Sequence, residues 1–416
     1  MRIAVRTALG AAVVAALTAG TFTAAAAEGA AARTEGVSVT ADGNAADERT
    51  QSTVISRDGR YAAFDTTATD LVPGDTNGVS DVFVRDLDSG ELERISQDGR
   101  ALSAPSLSAD GRYVAMLSGE EDATYKANVQ LYDRKSGTFE RLDVDLPDEF
   151  AGQPARRSLS LSADGRYAVF EIDDAHVSGS AVFLRDRVKG TTERISHQYQ
   201  GGDGERNSHR PTVSDDGRYV VYAQSFATGP RDGDTSDIWL LDRDSGKRTM
   251  IDRSQDGEET EKGATWPSIS GDGSKVVFES WDTHLVPDDT DGVGNVFVHD
   301  IAEGKNERIH GTQGGPDQEL TFHPAISADG RYLTYSSRIE EDGSEWGDES
   351  PAYLRDLSTG EDTLVTPDTT GGAAHGIVEA GGVSGDGKRI AFVSGDETLL
   401  PEDTNGGYDA FVRHLD

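Results

Sequence analysis

Apolar residues in this chain come in short runs, and the runs recur in a fixed order. Tyr61-Ala62-Ala63-Phe64, Tyr167-Ala168-Val169-Phe170, Tyr219-Val220-Val221-Tyr222 and Val276-Val277-Phe278 each follow an Asp-Gly turn signal. Val82-Phe83-Val84, Val182-Phe183-Leu184, Ile238-Trp239-Leu240-Leu241 and Val296-Phe297-Val298 each end on an aspartate within two residues. Runs of this length, rich in Val, Ile and aromatics and bounded by turn residues, predict strands. No stretch after the first 27 residues keeps an apolar spacing of 3.6, so helices are expected to be nearly absent.

The punctuation is as regular as the runs. Ser-x-Asp-Gly occurs seven times, with its aspartates at Asp58, Asp110, Asp164, Asp216, Asp272, Asp329 and Asp386, 52 to 57 residues apart. In five copies Arg and Tyr follow the Gly, as in Arg112-Tyr113. Each unit divides into four strands. Strand A precedes the motif (Val54-Ile55, Thr212-Val213, Ala325-Ile326), and the Asp-Gly turn leads into strand B. Strand C is the Val-Phe-Val-Arg-Asp run. A Ser-Gly or Glu-Gly turn then gives strand D, as in Glu93-Arg94-Ile95-Ser96 and Glu307-Arg308-Ile309-His310. Four-stranded units in this number predict an all-β fold, a seven-bladed β-propeller. The seventh unit stops after strand C, and residues 34–40 supply a strand D-like segment at the other end. The expected closure therefore pairs the N-terminal strand with blade seven, in one propeller domain over residues 34–416. A linear array would instead leave unpaired edges.

The repeat Ser-x-Asp-Gly-Arg-Tyr, Val-Phe-Val-Arg-Asp, Ser-Gly, Thr-Glu-Arg-Ile-Ser resembles the TolB-like, WD-repeat-like secreted bacterial propellers, and does so over essentially all the chain after residue 27. The phrase Asp70-Leu71-Val72-Pro73-Gly74-Asp75-Thr76-Asn77-Gly78 resembles a secreted subgroup of them. The resemblance implies a periplasmic or extracellular protein-binding scaffold.

Composition narrows the functional classes. The formal charge is −36, with 75 acidic against 39 basic residues and no cysteine. Disulfides, thiolate metal sites and cysteine nucleophiles are excluded. Nucleic acid and anionic membrane surfaces are poor partners for such a chain. Arg2 and Arg6, an apolar run over residues 8–19 and Ala25-Ala26-Ala27 read as a secretory signal peptide over residues 1–27, with residues 28–33 as a linker. No later stretch is long and apolar enough for a transmembrane helix. The expected product is a secreted or periplasmic monomer.

Two sets of residues are candidates for binding. Long loops join strand D to the next strand A, and large side chains stand where they end: Arg157, His209, Arg210, Trp266 and His323. Arg210-Pro211, Trp266-Pro267 and His323-Pro324 fall at the same distance before the motif serine, and blade two has Ala104-Pro105 there. These residues form either a recognition rim for a protein, peptide or glycan ligand, or a rigid plug at the top of the channel. The loop between strands B and C repeats Asp-Thr-Asn/Asp-Gly in blades one, five and seven. Asp75, Asn77 and Asp81, Asp289, Asp291 and Asn295, and Asp403, Asn405 and Asp409 offer hard oxygen ligands that suit calcium. Asx-turn chemistry explains the same letters without a metal. The motif serines read as turn residues, and the Arg-Asp pairs closing strand C as structural. No acid–base pair is evident, so non-enzymatic binding is the leading reading. A hydrolase or lyase at the central channel and a calcium-stabilised structural surface protein are the alternatives. No other cofactor is expected.

Overall fold

Each Ser-x-Asp-Gly copy folds as a hydrogen-bonded turn. In blade two, Ser108 Oγ donates to Asp110 Oδ1 (2.8 Å) and accepts the Tyr113 amide (2.9 Å), while Asp110 Oδ1 also accepts the Arg112 amide (3.0 Å). The same pattern holds at Ser162 and Ser214. The serines are therefore structural. The motif glycines adopt positive φ, 66° at Gly165 and 72° at Gly217. In five of the seven the open Cα face receives the tyrosine ring of the preceding blade, as with Tyr113 on Gly165 and Tyr167 on Gly217. Only glycine meets both demands.

These coordinates are a computed structural model, which describes residues 32–97, 99–120, 127–174, 179–196, 207–225, 236–254, 257, 262–287, 289, 292–312, 319–339, 350–379, 381–401 and 403–415. The strands form seven sheets, six of four strands and one of three. Blade one runs Thr50–Ile55, Tyr61–Thr66, Asp81–Asp86, Leu92–Ile95, each strand antiparallel to the next. Blades two to six repeat this order from Ala101–Leu107 to Glu361–Leu364. In blade seven the N-terminal strand Arg33–Gly36 pairs with Asp409–His414, which pairs with Arg389–Ser394. Its innermost strand is reduced to two isolated pairings, Ile377 with Val393 and Val383 with Ile390. Gly381 lies between them at φ 88°.

The closure differs from expectation in its residues. Thr34, Glu35 and Gly36 oppose Arg413, Val412 and Phe411, but the ladder ends there, four residues short of Thr40. Val37 still donates to the Ala410 carbonyl (2.7 Å). Beyond it, Arg85 of blade one draws the segment away, its guanidinium donating to the carbonyls of Val37 (2.8 Å) and Val39 (2.6 Å). The N-terminal segment thus joins the last blade to the first.

Two further sets of contacts tie the ring. Near the axis, the variable motif residue bonds across blades: Ala109 N to Ala163 O, Ala163 N to Asp215 O, Asp215 N to Gly271 O, and Gly385 N to Arg57 O. These positions need an amide proton. Proline could not serve at them, because it carries no donor. Further out, Tyr113 is held between Arg112 of its own blade and Arg187 of the next, each 4.6 Å from its ring centroid. The aspartates closing strand C accept the motif arginines, as in Arg166 with Asp186 (2.9 Å). Apolar side chains of strands B and C fill the space between blades, with stacked pairs such as Phe278 and Phe297 at 5.7 Å.

Candidate functional site at the axial mouth

The four X-Pro pairs occupy one structural position. Ala104, Arg210, Trp266 and His323 all have positive φ, between 51° and 54°. In each blade the pairing of strands A and B slips across that pair, between Ser103 and Ser106, His209 and Thr212, Thr265 and Ser268, and Phe322 and Ala325. This is a bulge. The αR region is disfavoured before proline, and a left-handed residue there re-aims its side chain. Each proline is buried, and each preceding residue is half-buried at the mouth of the channel. A left-handed conformation is uncommon for any residue with a side chain and an outlier for one as bulky as tryptophan.

These side chains meet. The Arg210 guanidinium lies 3.2 Å from the Trp266 ring centroid. The His323 ring meets Trp266 edge-on at 4.7 Å and Phe322 at 5.0 Å. Blades four, five and six therefore present one continuous cation–aromatic–imidazole stack. A cavity of about 130 Å³ opens beside it, lined by Ser52, Ala104, Ser158, Arg210, Trp266 and Glu379 among others. Deeper in the channel, Leu107, Leu161, Val213 and Ile269 form an apolar collar. At the turn end, Arg57 of blade one forms an ion pair with Asp215 of blade four across the axis. Gly271 leaves the space for that pair.

Carboxylates gather under the stack. Glu279 Oε2 accepts the His323 amide (3.1 Å). Burial pushes the Glu279 carboxyl up to about 7, against the opposing pull of the His323 amide and Arg210. Burial likewise pushes Glu171 up to about 7, although Arg156 lies 3.5 Å away. Burial lowers the Arg210 pKa, and the charges of Glu279, Glu379 and Glu171 act in the other direction. Asp65 occupies the equivalent place in blade one and accepts the Ser52 hydroxyl. The sequence reading missed Glu171, Glu279 and Asp65. The signal was present: each is the acid that ends the apolar run of strand B, six residues after the motif glycine.

Of the five rim candidates, the structure brings Arg210, Trp266 and His323 together. His209 immediately precedes the bulge, opposite Ala223, and does not line the cavity. The Arg157 side chain lies outside the described residues, as do residues 197–206 and 313–318 in the long loops.

The Asp-Thr-Asn-Gly loops divide into two kinds. In blade one, Arg94 Nη2 contacts Asp75 (2.6 Å) and Asp81 (2.5 Å). In blade five, Arg308 stands 3.3 Å from Asp289, and Asn295 Nδ2 donates to the Val293 carbonyl. Asp291 lies outside the described residues. Asn77 donates to Asp81 and accepts the Val79 amide, an Asx turn. In blade seven, Asn405 donates to Asp409 (2.8 Å), and Asp403 stands without an arginine among the described residues. No group of three or more His, Cys, Asp or Glu side chains is placed to hold a metal among the described residues. Nor is any helix there long and apolar enough to cross a membrane.

No family model and no curated protein matches the chain. Among solved structures it is similar to an oligogalacturonate lyase in complex with manganese, 14% identical with a TM-score of 0.57, over 93% of this chain and 97% of that one. It is also similar to a TolB-type protein from Agrobacterium tumefaciens (18% identical, TM-score 0.47, 81% and 98% covered). A third is the β-propeller domain of the Trilobed protease from Pyrococcus furiosus (14% identical, TM-score 0.48, 76% and 83% covered). At these identities the likeness is one of fold, a β-propeller.

Proposed function

We propose that the protein is an extracytoplasmic β-propeller that binds a protein, peptide or glycan partner at the axial mouth and performs no chemistry on it. The observation carrying this reading is the stack of Arg210, Trp266 and His323, held half-exposed by three consecutive bulges beside a cavity. An aromatic face with a cation on one side and buried carboxyls below suits a polar partner segment. Rigid blades presenting side chains next to variable loops are a common arrangement for recognition. Export follows the sequence reading of residues 1–27 as a signal peptide.

The test is capture of partners by the mature chain from culture supernatant and cell wall, followed by affinity measurement. Arg210→Ala and Trp266→Ala are each expected to weaken the captured partner at least tenfold, while melting stays within a few degrees of the parent. A fall in stability with unchanged affinity would make the stack a packing device.

A second reading has one observation in its favour. Two carboxyls near 7 beside an arginine and a histidine are the kind of cluster an acid–base site needs. A lyase or hydrolase using Glu279 would lose its turnover in Glu279→Gln. The lyase named above motivates acidic oligosaccharides as a first substrate panel. Turnover absent from the parent protein across that panel would count against this alternative.

A further inference from the structure

The Asp-x-Asn loop of blade seven has lost the arginine that its counterparts keep. In blades one and five that arginine comes from strand D: Arg94 sits opposite Phe83 and Arg308 opposite Phe297. The equivalent residue in blade seven, opposite Phe411, comes from the N-terminal strand and is Gly36. A side chain there would collide with Val39, 2.8 Å from an added Cβ. The joint between blade seven and the N-terminus therefore excludes the internal cation. Yet Asp403 and Asp409 both remain, and both are buried, 5% and 3% exposed.

Their oxygens differ in state. Asp409 accepts the Ser38 hydroxyl (2.7 Å) and the Asn405 amide (2.8 Å). Asp403 has only the Asn405 backbone amide against it, and no side chain bonds either of its oxygens among the described residues. Asp403, Asp409 and Ser38 line one cavity of about 250 Å³, together with Gly36 and Leu400; Arg33 also reaches its wall, but is half-exposed and paired with Glu35. A buried carboxylate with no cation beside it is far costlier than a paired one.

We propose that this cavity binds one hard divalent cation, Ca²⁺ or Mg²⁺, with Asp403 as the principal ligand and Asp409 as the second. The ion does at blade seven what Arg94 does at blade one. Two carboxylates balance its charge, and water in the cavity completes an all-oxygen shell. Because Ser38 is bonded to Asp409, and Asn405 Nδ2 to the Ala46 carbonyl (2.9 Å), the ion fastens the N-terminal segment onto the closing blade. Nothing in this inference depends on what the axial mouth binds.

The experiment uses the full mature chain, stripped with chelator and exchanged into 0.15 M KCl to screen its acidic surface. Ca²⁺ and Mg²⁺ are titrated separately by calorimetry, and melting is followed with each. One ion per chain is expected, with a Tm that rises steadily with its concentration, and the tighter of the two titrations identifies the ion. Asp403→Asn is expected to weaken the binding at least tenfold and abolish the Tm rise. It should also raise the Tm of the stripped protein, because it removes a buried charge that no cation balances. Asp75→Asn, at the arginine-filled loop of blade one, should leave the titration unchanged. No saturable binding of either ion, or binding that survives Asp403→Asn unaltered, would overturn the assignment.

Discussion

Glu279 is a carboxyl whose surroundings favour its neutral form. Its folded value lies near 7 and its ordinary value near 4.5. With the folded value raised, the stability it contributes is fully present below about pH 4.5. That contribution is lost as pH rises through about 7. At about 1.4 kcal/mol for each pH unit between the two values, the ionised form costs on the order of 3 kcal/mol above neutrality. Glu279→Gln keeps an oxygen for the His323 amide and cannot ionise. Urea denaturation should show the variant more stable than the parent by roughly 2–3 kcal/mol at pH 8 and about equal to it at pH 4.5. An equal gain at both values would mean that charge is not the cause. This residue also marks a limit of sequence reading. Arg210, Trp266 and His323 could be found by counting back from the motif serine. Glu171 and Glu279 belong to the neighbouring strand B, where an acid closing an apolar run reads as a solvated strand end. Only the folding of strand B alongside the bulge puts them under the stack.

Strand A carries the distinctive geometry at the level of the element. Four of its copies bend at an X-Pro pair with X left-handed. A side chain in that region costs about 1–2 kcal/mol, so the blades hold some strain at the mouth. In an ordinary strand glycine is less stable than alanine by roughly 0.5–1 kcal/mol. At position 266 the order should invert. Trp266→Ala loses the stack with Arg210 and His323 and keeps the strain, whereas Trp266→Gly loses the same contacts and releases it. Equilibrium denaturation is expected to place the Gly variant about 1 kcal/mol above the Ala variant. The normal order would mean that the bulge relaxes without cost. The sequence makes the alignment of these pairs visible but not the bend. Proline forbids a ladder donor without dictating whether the strand ends or bulges, and strand A runs on beyond it, to Ala101 in blade two and Glu319 in blade six.

At the scale of the whole molecule, seven copies of one turn at near-constant spacing made the ring legible, and the missing fourth strand of the last copy made its closure legible. The point at which the closing strand stops was not. It is set by a contest between the blade seven ladder and the Arg85 guanidinium, whose targets are backbone carbonyls that any sequence would supply. The same contest gives the last prediction. Removing residues 1–38 leaves Asp409–His414 as an open edge, withdraws the Val37 carbonyl from Arg85 and strips Ser38 from Asp409. A buried guanidinium loses one of its three acceptors, and four ladder pairs go with it, so a loss on the order of 5 kcal/mol follows. An unpaired edge also invites pairing between copies. A chain lacking only residues 1–31 should melt in one cooperative transition and elute as a single species. One lacking residues 1–38 should melt well below it and associate on size-exclusion chromatography. If the two behave alike, the ring is held by contacts between blades alone, and the N-terminal strand is an ornament to the fold rather than its fastening.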